Sequence, residues 1–181
     1  MSDTLDLFSR LAADFTNRVD SVPTSSWDNQ SPCNEWKARD VVAHVVGGQR
    51  HFLSLVNETP APAEQSDDVA GSWKAVRSEV ETALADPDRA SKVVETPFGA
   101  MPYGVLIGRF LAVDVLVHTW DLARATGLDE TIDADAVAHA FEGLKPMDAM
   151  MRGPGMFSAK VTPPAGADLQ TQFLCFLGRE V

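Results

Sequence analysis

Cysteine, basic side chains and long apolar runs are all scarce in this chain, and each scarcity excludes something. There are two cysteines, Cys33 and Cys175, far apart and outside any C-x-x-C pair. Two are too few for a disulfide framework, so free thiols in a reducing cytoplasm are the simplest reading. Lys and Arg number 15 against 26 Asp and Glu, for a net charge of -11 and a pI near 4.6. An acidic surface without a basic patch repels phosphate backbones, so nucleic acid is not an expected partner. No apolar run approaches the ~20 residues of a membrane span. The opening M-S-D-T-L-D-L-F lacks the basic and apolar regions of a signal peptide. A cytoplasmic protein without membrane contact is expected.

What is present is helical periodicity. The 181 residues are 45% hydrophobic and 23% charged, an ordinary globular balance that suggests one domain over 1–181. Leu5, Phe8, Leu11, Ala12, Phe15 and Val19 mark a helix over about Asp3 to Asp20. After a loop from Val22 to Asn34, a second helix is expected with Asn34 as N-cap, ending before Pro60. Thr59 to Asp68 forms a Pro/Ala/acidic connection to a third helix, Val69 to Ala85. Val93 and Val94 suit a short extended piece. A fourth long helix spans Tyr103 to Thr126, closed by Gly127, and a fifth spans Asp133 to Met151. A short strand at Phe157 to Val161 and a last helix at Asp168 to Leu177 complete the reading. The architecture expected is all-α, a four-helix bundle with additional short C-terminal elements.

The fourth helix carries the chemistry. At about 100° per residue, Asp114, His118 and Asp121 point the same way as Ile107, Phe110 and Ala125. A carboxylate in an apolar stripe is costly unless paired. A metal ion is one partner, because an i, i+4 pair presents two ligand atoms to one point. An intrahelical ion pair is the plainer alternative. Asp121 fits either a carboxylate that orients His118 or a salt bridge to Arg124.

In the second helix, His44 precedes Gly47 and Gly48 by three and four residues. Each glycine costs a helix roughly 1 kcal/mol relative to alanine. Clearing space for an ion and its exogenous ligand is one reason to carry them. Read alone, His44 also fits a histidine bonded to a carbonyl or to Asp40, and His51 competes for its role. His139, among alanines, reads as a surface or packing residue. Cys33 reads as a small packed residue, Cys175 as core, and Trp27, Trp36, Trp73 and Trp120 as bundle core.

Three stretches in order, S-P-C-N-E-W-K-A-R-D-V-V-A-H-V-V-G-G, T-P-F-G-A-M-P and D-V-L-V-H-T-W-D-L-A-R-A-T-G, carry a family likeness. The chain resembles the DinB/YfiT-like metalloenzyme superfamily. Within it, the chain is similar to the actinobacterial branch related to the N-terminal domain of mycothiol-dependent maleylpyruvate isomerase. The closing F-S-A-K-V-T-P-P-A-G-A-D-L-Q-T-Q-F-L-C-F-L-G-R is similar to the tail of small single-domain members of that branch. The resemblance implies a bundle holding a divalent ion through His44, Asp114 and His118. The isomerase itself has glutamate where this chain has the shorter Asp114; a carboxylate oxygen suits zinc in either case. It also has an extra C-terminal domain without counterpart here, so maleylpyruvate isomerisation is not the expected reaction.

The function expected is a metal-dependent enzyme, a transferase or isomerase that uses mycothiol against a small electrophile. Zinc is the default ion, and nickel or iron suit the same ligand set. A non-enzymatic metal-binding or stress-response module would need a fourth protein ligand from Asp121, Asp40 or His51. A metal-dependent hydrolase would need a general base, for which Asp40 and Asp121 are the candidates. A helical bundle whose site has decayed is a further alternative. A homodimer is compatible with the sequence.

Overall fold

The apolar stripes read from the sequence close on one another in a computed structural model of the chain, which describes residues 2–57, 67–96, 99–152 and 156–181. The long helices are α1 (Ser2–Ser21), α2 (Ala38–Ser54), α3 (Val69–Ala85) and α6 (Ala112–Thr126). α1 packs on α3 and α6, and α2 packs on the same two, so the four form a closed bundle. Between α3 and α6 lie the short α4 (Pro87–Ser91), the paired strands β1 (Val93–Val94) and β2 (Met101–Pro102), and α5 (Tyr103–Leu106). α7 (Ala134–Leu144) and α8 (Leu169–Phe176) lie beside the bundle. The fold is all-α, as expected.

The stripes bury Phe8, Phe15, Trp73, Trp120 and Phe173 in one continuous core. Phe15 and Trp73 meet edge to face at 4.8 Å, and the Trp73 indole N–H donates to Thr16 Oγ1 at 2.9 Å. A buried indole therefore keeps its hydrogen bond while its rings fill the core. Asp133 and Asp168 cap α7 and α8 through Ala136 and Thr171 N–H at 2.8 Å. No helix among the described residues is long and apolar enough to cross a membrane.

Four local expectations are corrected. α2 starts at Ala38, and Asn34 is not its cap. Glu35 takes a left-handed φ of 66°, which stops a helix there. The cap falls to Lys37, whose backbone N–H donates to Asp40 Oδ2 at 2.8 Å. The fifth helix ends at Leu144, and Lys145–Met151 continues as a 3₁₀ turn. Pro146 has no N–H to carry the α ladder onward. Phe157 to Val161 forms no strand; Val161 N–H bonds the Cys175 carbonyl instead. The fourth helix is continuous, but Ile107–Leu111 is a π turn joining α5 to α6. Leu111 is buried and, like Asp114, lies about 4 Å from where a Cβ on Gly48 would stand, while Phe110 is half-buried against the core. α2 ends at Ser54, before Pro60 as expected, while the Thr59 to Asp68 connection lies outside the described residues apart from 67 and 68.

Candidate metal centre

α2 and α6 bring His44, Asp114 and His118 together, with one ligand atom of each within 4.8 Å of the others. His44 Nε2 lies 3.4 Å and His118 Nε2 3.3 Å from the same oxygen, Asp114 Oδ1. The two imidazoles stand edge to face at 4.8 Å. Spacing on α6 makes the Asp114–His118 half, and packing of α2 on α6 supplies His44.

The other oxygen, Asp114 Oδ2, is buried without a hydrogen-bond partner among the described residues. An orphaned carboxylate oxygen is costly, and a cation beside it removes the cost. Two imidazole nitrogens and a carboxylate oxygen form a donor set suited to zinc and similar divalent ions. The residues present therefore fit the ion. His44 is 38% exposed, so the cluster opens outward on that side.

The glycines divide. A Cβ on Gly48 would lie 3.9 Å from Asp114 Oδ2 and 4.0 Å from Leu111, so Gly48 does leave room beside the carboxylate. A Cβ on Gly47 would meet nothing within 4 Å, so Gly47 does not border the three side chains. Asp40 is engaged in the α2 cap, and exposed His51 lies against the ring of Phe52. Neither joins the groups that converge among the described residues.

Behind His118 lies a second layer. His118 Nδ1 is 2.8 Å from Asp121 Oδ2, and Asp121 is wholly buried. Arg179, from the segment after α8, reaches Asp121 Oδ2 with Nη2 at 2.8 Å and Oδ1 with Nε at 3.3 Å. Of the two readings of Asp121, the contact to His118 forms and the salt bridge to Arg124 does not: Arg124 pairs with Glu130 and lies over Trp120. Cys33 Sγ stands 3.4 Å from Asp121 Oδ2 and 3.7 Å from Arg179 Nη2. Cys33, His118 and Asp121 also cluster with ligand-like spacing. There the Arg179 guanidinium already supplies the positive charge, which disfavours a second ion.

The loop before α2 holds two of these side chains. Gln30 Nε2 donates to the carbonyls of Ser31, Cys33 and Trp36, the last at 2.9 Å. Trp36 packs against the core, as expected, and also lies against His44, ring centroids 4.6 Å apart. Proximity to the second helix was the available signal for Cys33 and Trp36. Nothing local pointed to Arg179.

Charge coupling runs through the whole array. Burial alone would raise Asp114, but the His118 charge beside it prevails and holds it well below the ordinary carboxylate range. Burial opposes a charged His118, yet Asp114 and Asp121 together raise it well above the usual imidazole value. Asp121 is held at about 2, burial being outweighed by the His118 hydrogen bond and the Arg179 charge. The two carboxylates on either side of His118 thus both favour its charged form.

A separate, mostly apolar cavity of about 250 Å³ lies between α1, α6 and α7, against Leu11, Val113, Leu116 and Ala140. It shares no residue with the cluster.

Residues 8–123 match the family described as the mycothiol maleylpyruvate isomerase N-terminal domain. Uncharacterized proteins from two strains of Mycobacterium tuberculosis are 29% identical over 181 residues, 99% of this chain and of each relative. Crystal structures of mycothiol-dependent maleylpyruvate isomerase and of a histidine-to-alanine mutant superpose with a TM-score of 0.63 at 16% identity. They cover 85% of this chain and 73% of theirs, and at that identity they speak for the fold alone.

Proposed function

This chain belongs to the mycothiol maleylpyruvate isomerase N-terminal domain family, and from that premise we propose that it is a divalent-metal enzyme that uses a low-molecular-weight thiol, mycothiol, against a small electrophile. The observation that carries the reading is the convergence of His44, Asp114 and His118 with Asp114 Oδ2 buried and unpartnered. Those three side chains would hold the ion, with zinc the ion best suited to the set. A divalent ion held there lowers the pKa of a thiol brought to it and so supplies a nucleophilic sulfur at neutral pH. The chain's own part is geometric. Asp121 orients the His118 ring from behind. Trp36 supports His44 on the exposed side, and Gly48 leaves the approach to Asp114 clear. The reaction class is thiol transfer or a thiol-assisted isomerisation.

The rival readings find less support. A structural metal site needs a fourth protein ligand, and none of the three candidates faces the trio. Asp40 caps α2, His51 lies on Phe52, and Asp121 is held behind His118 by Arg179. The same placements put neither Asp40 nor Asp121, the two candidate bases of a hydrolase, on the open side.

Metal analysis of the purified protein and of His118→Ala, followed by mycothiol consumption with a panel of electrophiles, tests the proposal. The wild type is expected to carry about one divalent ion per chain and the variant almost none. Full metal in the variant refutes the ligand assignment. Turnover indifferent to mycothiol refutes the thiol chemistry.

A further inference from the structure

Asp121 is a wholly buried carboxylate on α6, and its hydrogen bond to His118 Nδ1 fixes which way that ring faces. A carboxylate so buried holds one orientation only if both oxygens are engaged. His118 engages Oδ2 alone. Oδ1 is engaged by Arg179 Nε, and Arg179 Nη2 binds Oδ2 as well, so the guanidinium grips the carboxylate as a fork.

Arg179 is itself fixed. Its side chain is 10% exposed, its Nη1 donates to the Leu177 carbonyl, and its guanidinium faces the ring of Phe157 at 5.8 Å. Its backbone N–H bonds the Leu174 carbonyl at the end of α8. The preceding turn needs Gly178, at φ 86°, where a Cβ would strike Ser158 at 2.8 Å. The segment after α8 thus delivers one cation to a buried anion 58 residues away in sequence.

We infer that Arg179 is a positioning residue for the metal centre: it fixes Asp121, which fixes His118 with Nδ1–H directed backward and Nε2 directed to Asp114 and His44. The inference rests on the metal reading above for its consequence, and on the fork geometry for its premise. Arg179 also offsets the Asp121 charge, so that, among the described residues, Asp114 is the carboxylate left to face an ion held there.

The test uses the full chain as wild type, Arg179→Met and Arg179→Lys, the last keeping the charge without the fork. The first readout is the nitrogen-bound proton resonance of His118 Nδ1 in metal-free, ¹⁵N-labelled protein. It is expected downfield and slow to exchange in wild type, lost in Arg179→Met and partly recovered in Arg179→Lys. The second is zinc affinity by competition with a chromophoric chelator, expected to fall about 10- to 100-fold in Arg179→Met and less in Arg179→Lys. An Arg179→Met protein that keeps both the resonance and wild-type affinity overturns the inference. If Arg179→Met does not fold, Arg179→Lys decides: unchanged resonance and affinity there show that the fork has no positioning role. A wild type that takes up no zinc while its resonance depends on Arg179 refutes the proposed metal function and upholds the positioning.

Discussion

Gly47 and Gly48 offer a paired perturbation in which one member is its own control. Both lie inside α2, where each glycine costs roughly 1 kcal/mol relative to alanine. A methyl on Gly47 meets nothing within 4 Å, and one on Gly48 finds ordinary contact at 3.9 and 4.0 Å, so neither variant is strained. Each alanine should stabilise the metal-free protein by about 0.5–1 kcal/mol, which raises Tm by roughly 1–4 °C for a chain of this size. The two part company once zinc is added. Only the Gly48 methyl stands beside Asp114 Oδ2, the oxygen on which the ion would draw. A tenfold loss of affinity there removes about 1.4 kcal/mol of zinc-linked stabilisation, or about 3–6 °C of the zinc-induced rise. Thermal melts in chelator and in a fixed excess of zinc, for wild type, Gly47→Ala and Gly48→Ala, read both quantities. The reasoning fails if Gly48→Ala melts below wild type without metal, or if zinc raises both variants equally.

Two further outcomes are expected. The stability that His118 contributes to the metal-free protein is fully present below its ordinary value of 6.5 and is lost as pH rises through its raised folded value. The contributions of Asp114 and Asp121 are present above 3.8 and are lost as pH falls through their lowered folded values. Since zinc competes with a proton for His118 Nε2, the zinc-induced rise in Tm should grow as pH rises above 6.5; a rise independent of pH there contradicts the assignment. Trp36→Ala should weaken zinc binding by about tenfold or less, because Trp36 supports His44 without ligating; an effect as large as that of His44→Ala, measured by the same chelator competition, would mean that the indole does more.

The bundle and half of the site were legible because both follow from periodicity within one element. The stripe Leu5, Phe8, Leu11, Phe15 faces the core as its spacing requires, and Asp114 and His118 meet because they are four apart on α6. Periodicity is silent about what arrives from another segment. The start of α2 was misplaced because Asn34 has a cap's chemistry, while the left-handed Glu35 and the Lys37–Asp40 bond decide the boundary. The π turn left no mark beyond Gly108, which fits closely against Thr4.

Asp121 shows how far a local rule reaches. Arg124 was the cation at the right spacing, but spacing counts only where both groups reach the same medium. Among the described residues Asp121 is the one acidic side chain in the fully buried set, whereas Arg124 is exposed and turns to Glu130. A buried carboxylate must find a partner that is itself desolvated, and the exposed arginine three residues on could not serve without drawing Asp121 out of the core. The partner therefore had to come from a segment that packs against α6, and Arg179, anchored by the turn after α8, meets that requirement. An aspartate flanked by Trp120 and Leu122 on a helix that is mostly buried was the available signal: it called for a distant cation, without saying which.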